Sequence, residues 1–202
     1  MKTFGKKEEI HEALTTLGKL MALAYAQDVQ LLCCGGAGLN VLEIISRPTK
    51  DVDILAFVGE GHALLPIEMF SPEMEVAIAK TASLCGLASD WINLTSTILL
   101  QRGLPEGIVE RSVPHAKQYG PCLRIQFIAR IDQVALKLNA SLDPIEGRRH
   151  EVDLVAMNPT EEEITHGLSW LLSWPSSEAF KIRLAFIVEG LGFSMPAAEE
   201  RP

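Results

Sequence analysis

Residues 47–55 read Arg47-Pro48-Thr49-Lys50-Asp51-Val52-Asp53-Ile54-Leu55 and follow a glycine-rich stretch, Gly35-Gly36-Ala37-Gly38-Leu39-Asn40. Side chains alternate across a strand, so Asp51 and Asp53 point one way while Val52 and Ile54 point the other. Two neighbouring carboxylates repel each other and are costly to desolvate together, so a chain that keeps them side by side is expected to hold a cation there. Magnesium suits such a place, because it takes oxygen ligands and shares them with substrate phosphates. The glycine pair upstream lets backbone amides come close to a phosphate.

Working outward, apolar residues at Ile10, Leu14, Leu17, Leu20 and Met21 recur at helical spacing and predict a helix over 8–25. The run Val29–Cys34 predicts a buried strand, ended by Gly35-Gly36. A helix is expected over 37–45, stopped at Arg47-Pro48, then a strand over 51–58. Residues 64–71 read as a loop. Pro72 opens a helix to about Leu87, and a strand containing Trp91 and Ile92 is expected over 90–95. Residues 98–107 read as a loop or short helical turn, and 110–120 are irregular. Leu123, Ile125 and Phe127 mark a strand, followed by helices over 130–141 and 149–157. Thr160 with Glu163 forms a capping box for a helix to Leu172, a last helix covers 177–190, and 191–202 reads as a frayed tail. The class is α/β or α+β, a short mixed sheet flanked by helices. Asn158-Pro159-Thr160 reads as a hinge between a domain over 1–158 and a helical C-terminal extension over 159–202.

The 202 residues carry a formal net charge of -8, which argues against general nucleic-acid binding. No apolar run reaches the ~18 residues a spanning helix needs, so no membrane partner is expected. The N-terminus lacks the apolar segment of a secretory signal. Four cysteines without a CxxC pattern read as reduced thiols of a cytoplasmic protein. The glycines do not form the G-x-G-x-x-G dinucleotide fingerprint, and no G-x-S-x-G supports hydrolase chemistry. The five histidines have no spacing that suggests a metal or a triad.

The order strand, Gly35-Gly36, helix, then Arg47-x-Thr49-x-Asp51-x-Asp53 on a strand resembles the polymerase-beta-type nucleotidyltransferase superfamily. Downstream, Asp132-Gln133-Val134-Ala135-Leu136-Lys137-Leu138-Asn139-Ala140, followed by Arg148-Arg149-His150-Glu151-Val152-Asp153-Leu154, is similar to the branch of small bacterial enzymes related to abortive-infection toxins of toxin-antitoxin systems. The resemblance covers about residues 29–157. It departs from the superfamily where a third strand carboxylate is expected and Gln126 stands, and where an acid three residues before Asp153 is replaced by His150.

The resemblance implies a nucleotidyltransferase fold and transfer of a nucleoside monophosphate from an NTP to a hydroxyl on tRNA, protein or a small molecule. It implies Mg2+ on Asp51 and Asp53, phosphate contacts from Gly35, Gly36, Arg47 and Thr49, and a fixed positive charge on the triphosphate from Lys137. Asp153 would complete the site, giving Asp51, Asp53, Asp153 and Lys137 as the catalytic set, and an antitoxin protein is an implied partner. Plainer readings stand beside these. Asp51 and Asp53 would be a solvated face paired with Lys50 and Arg47. The glycines would be only a tight turn. Lys137 would snorkel at the surface, and Asp153 would pair with Arg149 one helical turn away. A non-catalytic nucleotide-binding or protein-interaction module, and an aminoglycoside-type small-molecule nucleotidyltransferase, are the functional rivals.

Overall fold

The apolar run Val29–Cys34 forms β1, an interior strand of a mixed sheet that has six strands among the described residues. The structure is a computed structural model and describes residues 2–24 and 26–196. Tyr25, expected as the end of the first helix, and residues 197–202 of the expected tail lie outside the described residues. The chain divides into two units, Met1–Arg130 and Ile131–Pro202.

In the first unit the order is α1 (Lys7–Leu23), β1, α2 (Gly35–Val41), β2 (Val52–Val58), β3 (Leu64–Leu65), α3 (Pro72–Cys85), β4 (Ile92–Asn93), α4 (Ile108–Ser112), β5 (Ala116–Gln118) and β6 (Leu123–Phe127). The main path through the sheet is β3-β2-β1-β6-β5, with β4 also paired to β2. β1 runs antiparallel to β2 and parallel to β6. One face of the sheet, with Leu31, Cys33, Val52, Ile54, Ile125 and Phe127, shares its core with Ile10, Leu14 and Leu17 of α1 and with Met74, Ala77 and Ile78 of α3. Each fully buried Leu or Ile there contributes about 1.5–3 kcal/mol over leaving it exposed. α1 is held at its start by Glu9, whose carboxylate accepts from the Gly5 amide at 2.6 Å. The Ser71 hydroxyl caps α3 by accepting from the Met74 amide at 3.3 Å.

Four local departures from the sequence expectations have physical causes. α2 begins at Gly35 itself and stops at Val41, short of the expected Ile45. Beyond it Glu43 takes a positive φ of 55°, and the Asn40 side chain ties the start of the helix to the segment that follows. Leu64–Leu65, expected in a loop, pairs with Phe57 and Val58 as an edge strand. The strand expected over 90–95 shrinks to Ile92–Asn93, because the Thr95 amide turns back to donate to Asn93 Oδ1 at 3.0 Å. A 3-10 helix over Thr95–Gln101 follows. The irregular stretch before β6 contains α4 and the edge strand β5.

The second unit is helical: α5 (Arg130–Ser141, its first residue in the first unit), α6 (Gly147–Met157), α7 (Glu161–Leu172) and α8 (Glu178–Gly190). The expected capping box is present, with Thr160 Oγ1 accepting from the Glu163 amide at 3.3 Å and Glu163 accepting from the Thr160 amide at 2.9 Å. Asn158-Pro159-Thr160, expected as a hinge between domains, is the connection between α6 and α7 inside this unit. Arg183 of α8 donates to Ser141 O at 3.0 Å and Leu142 O at 3.1 Å, satisfying carbonyls at the end of α5. No described helix is long and apolar enough to cross a membrane.

Candidate functional site

In the first unit the glycine pair meets the segment that carries the two aspartates. β1 ends opposite β2, with Cys34 beside Asp53. The chain then turns at Gly35, whose φ is +71°, a conformation that costs a residue with a Cβ roughly 1–2 kcal/mol. Space is the stronger constraint, since a Cβ on Gly35 would overlap the Asp53 carboxylate. A Cβ on Gly36 would overlap the Thr49 hydroxyl and lie 3.6 Å from an Arg47 guanidinium nitrogen. Gly35, Gly36, Arg47, Thr49 and Asp53 therefore form one cluster.

Asn40 fixes that cluster. Its amide nitrogen donates to Gly36 O at 2.8 Å and to Arg47 O at 2.9 Å, so the glycine turn and the 47–51 segment are held together. Thr49 is anchored from outside by paired backbone bonds with Phe4, 2.8 and 3.0 Å long. Its hydroxyl reaches Asp51 O at 3.4 Å. Val52 continues the segment by donating its amide to Trp91 O at 2.7 Å, and is fully buried, as is Ile54. Asp51 and Asp53 are half-buried on either side of Val52. Burial, reinforced by Cys34, Asp53 and Asp51, pushes the Cys33 thiol well above its ordinary range. That thiol stays protonated and is no nucleophile.

Asn93 was not singled out by its sequence, which offers only a polar residue in a short apolar run. It pairs with Asp53 across the parallel β2–β4 contact, and its Nδ2 donates to Asp53 Oδ1 at 3.3 Å. Asn40 was equally silent as a polar residue within a glycine-rich stretch. Gln126, where an acid was expected, accepts from the buried Ser112 hydroxyl at 2.6 Å.

The other two expected residues lie in the second unit and find each other. Lys137 Nζ donates to Asp153 Oδ2 at 2.6 Å, with the side chains 7% and 2% exposed. His150 Nδ1 lies 3.3 Å from the same nitrogen. Lys137 is thus not a surface residue, and Asp153 takes Lys137 across two helices. Arg149, the alternative partner for Asp153, bridges Glu146 instead, at 3.2 Å.

Two carboxylates are a donor set that suits one hard divalent ion, which keeps waters and needs few protein ligands. Among the described residues no group of three or more His, Cys, Asp or Glu side chains is arranged around a metal position. All four cysteines are free. Comparison with protein-family models, with curated proteins and with solved structures finds no match to this chain.

Proposed function

We propose that this protein is a nucleotidyltransferase of the polymerase-beta type, moving a nucleoside monophosphate from an NTP to a hydroxyl acceptor. The observation that carries the reading is the packing of the Asp53 carboxylate on the Gly35 backbone, in the cluster that also gathers Gly36, Thr49 and Arg47. On this reading, the close approach of an acid to a glycine turn would bring a cation site and phosphate-binding amides within one substrate's length. Asp51 and Asp53 would hold Mg2+. When bound, that ion would draw charge from the phosphates as the bond between the α phosphorus and its bridging oxygen breaks. Arg47 would face phosphate oxygens, and the Thr49 hydroxyl would donate to one. The acceptor oxygen joins the α phosphorus, its proton leaves to solvent or a nearby base, and pyrophosphate departs. The acceptor is a hydroxyl on a tRNA end, a protein or a small molecule. A toxin-antitoxin role with a cognate protein partner belongs to the same reading.

A second reading is a nucleotide-binding module without turnover. It is favoured by the Asn93 amide beside Asp53, by the engagement of Gln126 with Ser112 and by the pairing of Asp153 with Lys137. Incubation with Mg2+ and each labelled NTP separates the two. Label transfer or pyrophosphate release is expected of the enzyme, and tight binding with neither indicates the module. Asp51→Asn with Asp53→Asn should abolish Mg2+-dependent NTP binding in a folded protein. Unchanged affinity in that variant removes the metal site on Asp51 and Asp53.

A further inference from the structure

We propose that Asn93 positions the Asp53 carboxylate and that the Asp51–Asp53 face takes one divalent cation, not two; this rests on the metal-binding reading above. β4 is only two residues long, yet it sets Asn93 directly beside Asp53 in parallel register. The orientation of the Asn93 amide is fixed by chemistry. The Thr95 amide is a donor and lies 3.0 Å from Oδ1, so Oδ1 must accept it. The nitrogen is left to face Asp53 Oδ1 at 3.3 Å. One oxygen of Asp53 is thereby held by Asn93, while Oδ2 lies against Gly35, which leaves the carboxylate little freedom to rotate.

The same amide limits what the face can bind. A second divalent ion needs further anionic oxygens, and the neighbouring strand positions offer none. The residue opposite Asp53 on β1 is Cys34, and the polar residues of β6 are Arg124, a cation, and Gln126, already engaged with Ser112. Asn93 Oδ1 is committed to Thr95, and its nitrogen cannot ligate a cation. Two carboxylates balance the charge of one divalent ion, and no group of three candidate ligands surrounds any point among the described residues.

The test is titration of the full chain with Mn2+ alone, counting free ion by electron paramagnetic resonance, with circular dichroism as the folding control. The wild type should bind one ion per chain at this face, lost in the Asp51→Asn/Asp53→Asn variant. Asn93→Ala, which removes the donor, should weaken Mn2+ binding by about tenfold, as loss of a group orienting a metal ligand does. Asn93→Asp keeps an acceptor for Thr95 and adds a third carboxylate, and should bind Mn2+ more tightly than wild type, as a higher count of charged ligands does. If Asn93→Ala does not fold, Asn93→Asp carries the decision. Two ions on the wild type, or Asn93→Asp binding no more tightly than wild type, overturns the inference while leaving the metal-binding reading standing. A folded wild type that takes up no Mn2+ overturns that reading, and the inference with it.

Discussion

The Asp53 carboxylate rests against the backbone of Gly35, at the place a Cβ on residue 35 would occupy. The two residues are brought together by the antiparallel pairing of β1 with β2, which sets Cys34 opposite Asp53. The acid is packed on the turn that ends β1, so any side chain at 35 must displace it.

Gly35→Ala should therefore lose both stability and ligand binding. The positive φ and the overlap together should cost about 1–3 kcal/mol, read as a lower urea midpoint at unchanged slope. Calorimetry with Mg2+ and NTP should show binding lost beyond what the unfolded fraction explains. Wild-type affinity in Gly35→Ala would separate the turn from the site.

The Lys137–Asp153 pair is nearly inaccessible to water, so removing one partner strands a buried charge. Lys137→Met or Asp153→Leu alone should destabilise by about 3–5 kcal/mol, whereas the double variant should recover much of that loss. Urea unfolding of all four proteins completes the cycle. If the double variant loses triphosphate affinity and keeps monophosphate affinity, Lys137 acts on the phosphates as well as on Asp153. Equal loss of both assigns the pair to the fold.

Thr160→Ala removes one half of the capping box at the start of α7, while the Glu163 carboxylate keeps its bond to the residue-160 amide. The expected loss is about 1 kcal/mol. Thr160→Ser should restore it, because the serine hydroxyl reaches the same amide. A null effect of the alanine variant on thermal unfolding would mean that packing alone holds this helix.

His11 should make stability fall on acidification. Burial, aided by the Lys117 ammonium, holds its pKa below the ordinary 6.5, with Glu8 opposing and Lys7 adding to the lowering. Nδ1 lies 2.7 Å from the Tyr119 hydroxyl and Nε2 lies 3.4 Å from Lys117 Nζ. With the folded pKa depressed, the unfolded chain takes up the proton first. The stabilising contribution is thus present above pH 6.5 and is lost as pH falls through the folded value. His11→Gln should flatten the dependence of the melting temperature between about pH 7.5 and pH 5. An unchanged slope would assign that dependence to other groups.

The sequence by itself determined what depends on near neighbours along the chain. Ile10, Leu14, Leu17 and Met21 make a helix because their spacing lines one face, and that face is buried. Val29–Cys34 is a strand within its expected bounds, α5 occupies its expected residues, and the Thr160–Glu163 cap spans three residues. The half-buried place of Asp53 between buried Val52 and Ile54 was legible for the same reason, since alternation is a local property, whereas Asp51, expected to open the strand, precedes it. Only the tertiary structure decided which groups those acids meet. Asn93 lies 40 residues beyond Asp53 in the chain, and the strand expected over 90–95 did not reveal that it would pair with β2 and set Asn93 beside that acid. The edge strands β3 and β5 exist because a neighbour offers backbone partners, and the Lys137–Asp153 pair exists because α5 and α6 face each other. Such contacts are chosen by how strands and helices dock, and residue order alone does not encode which distant surface will be the partner.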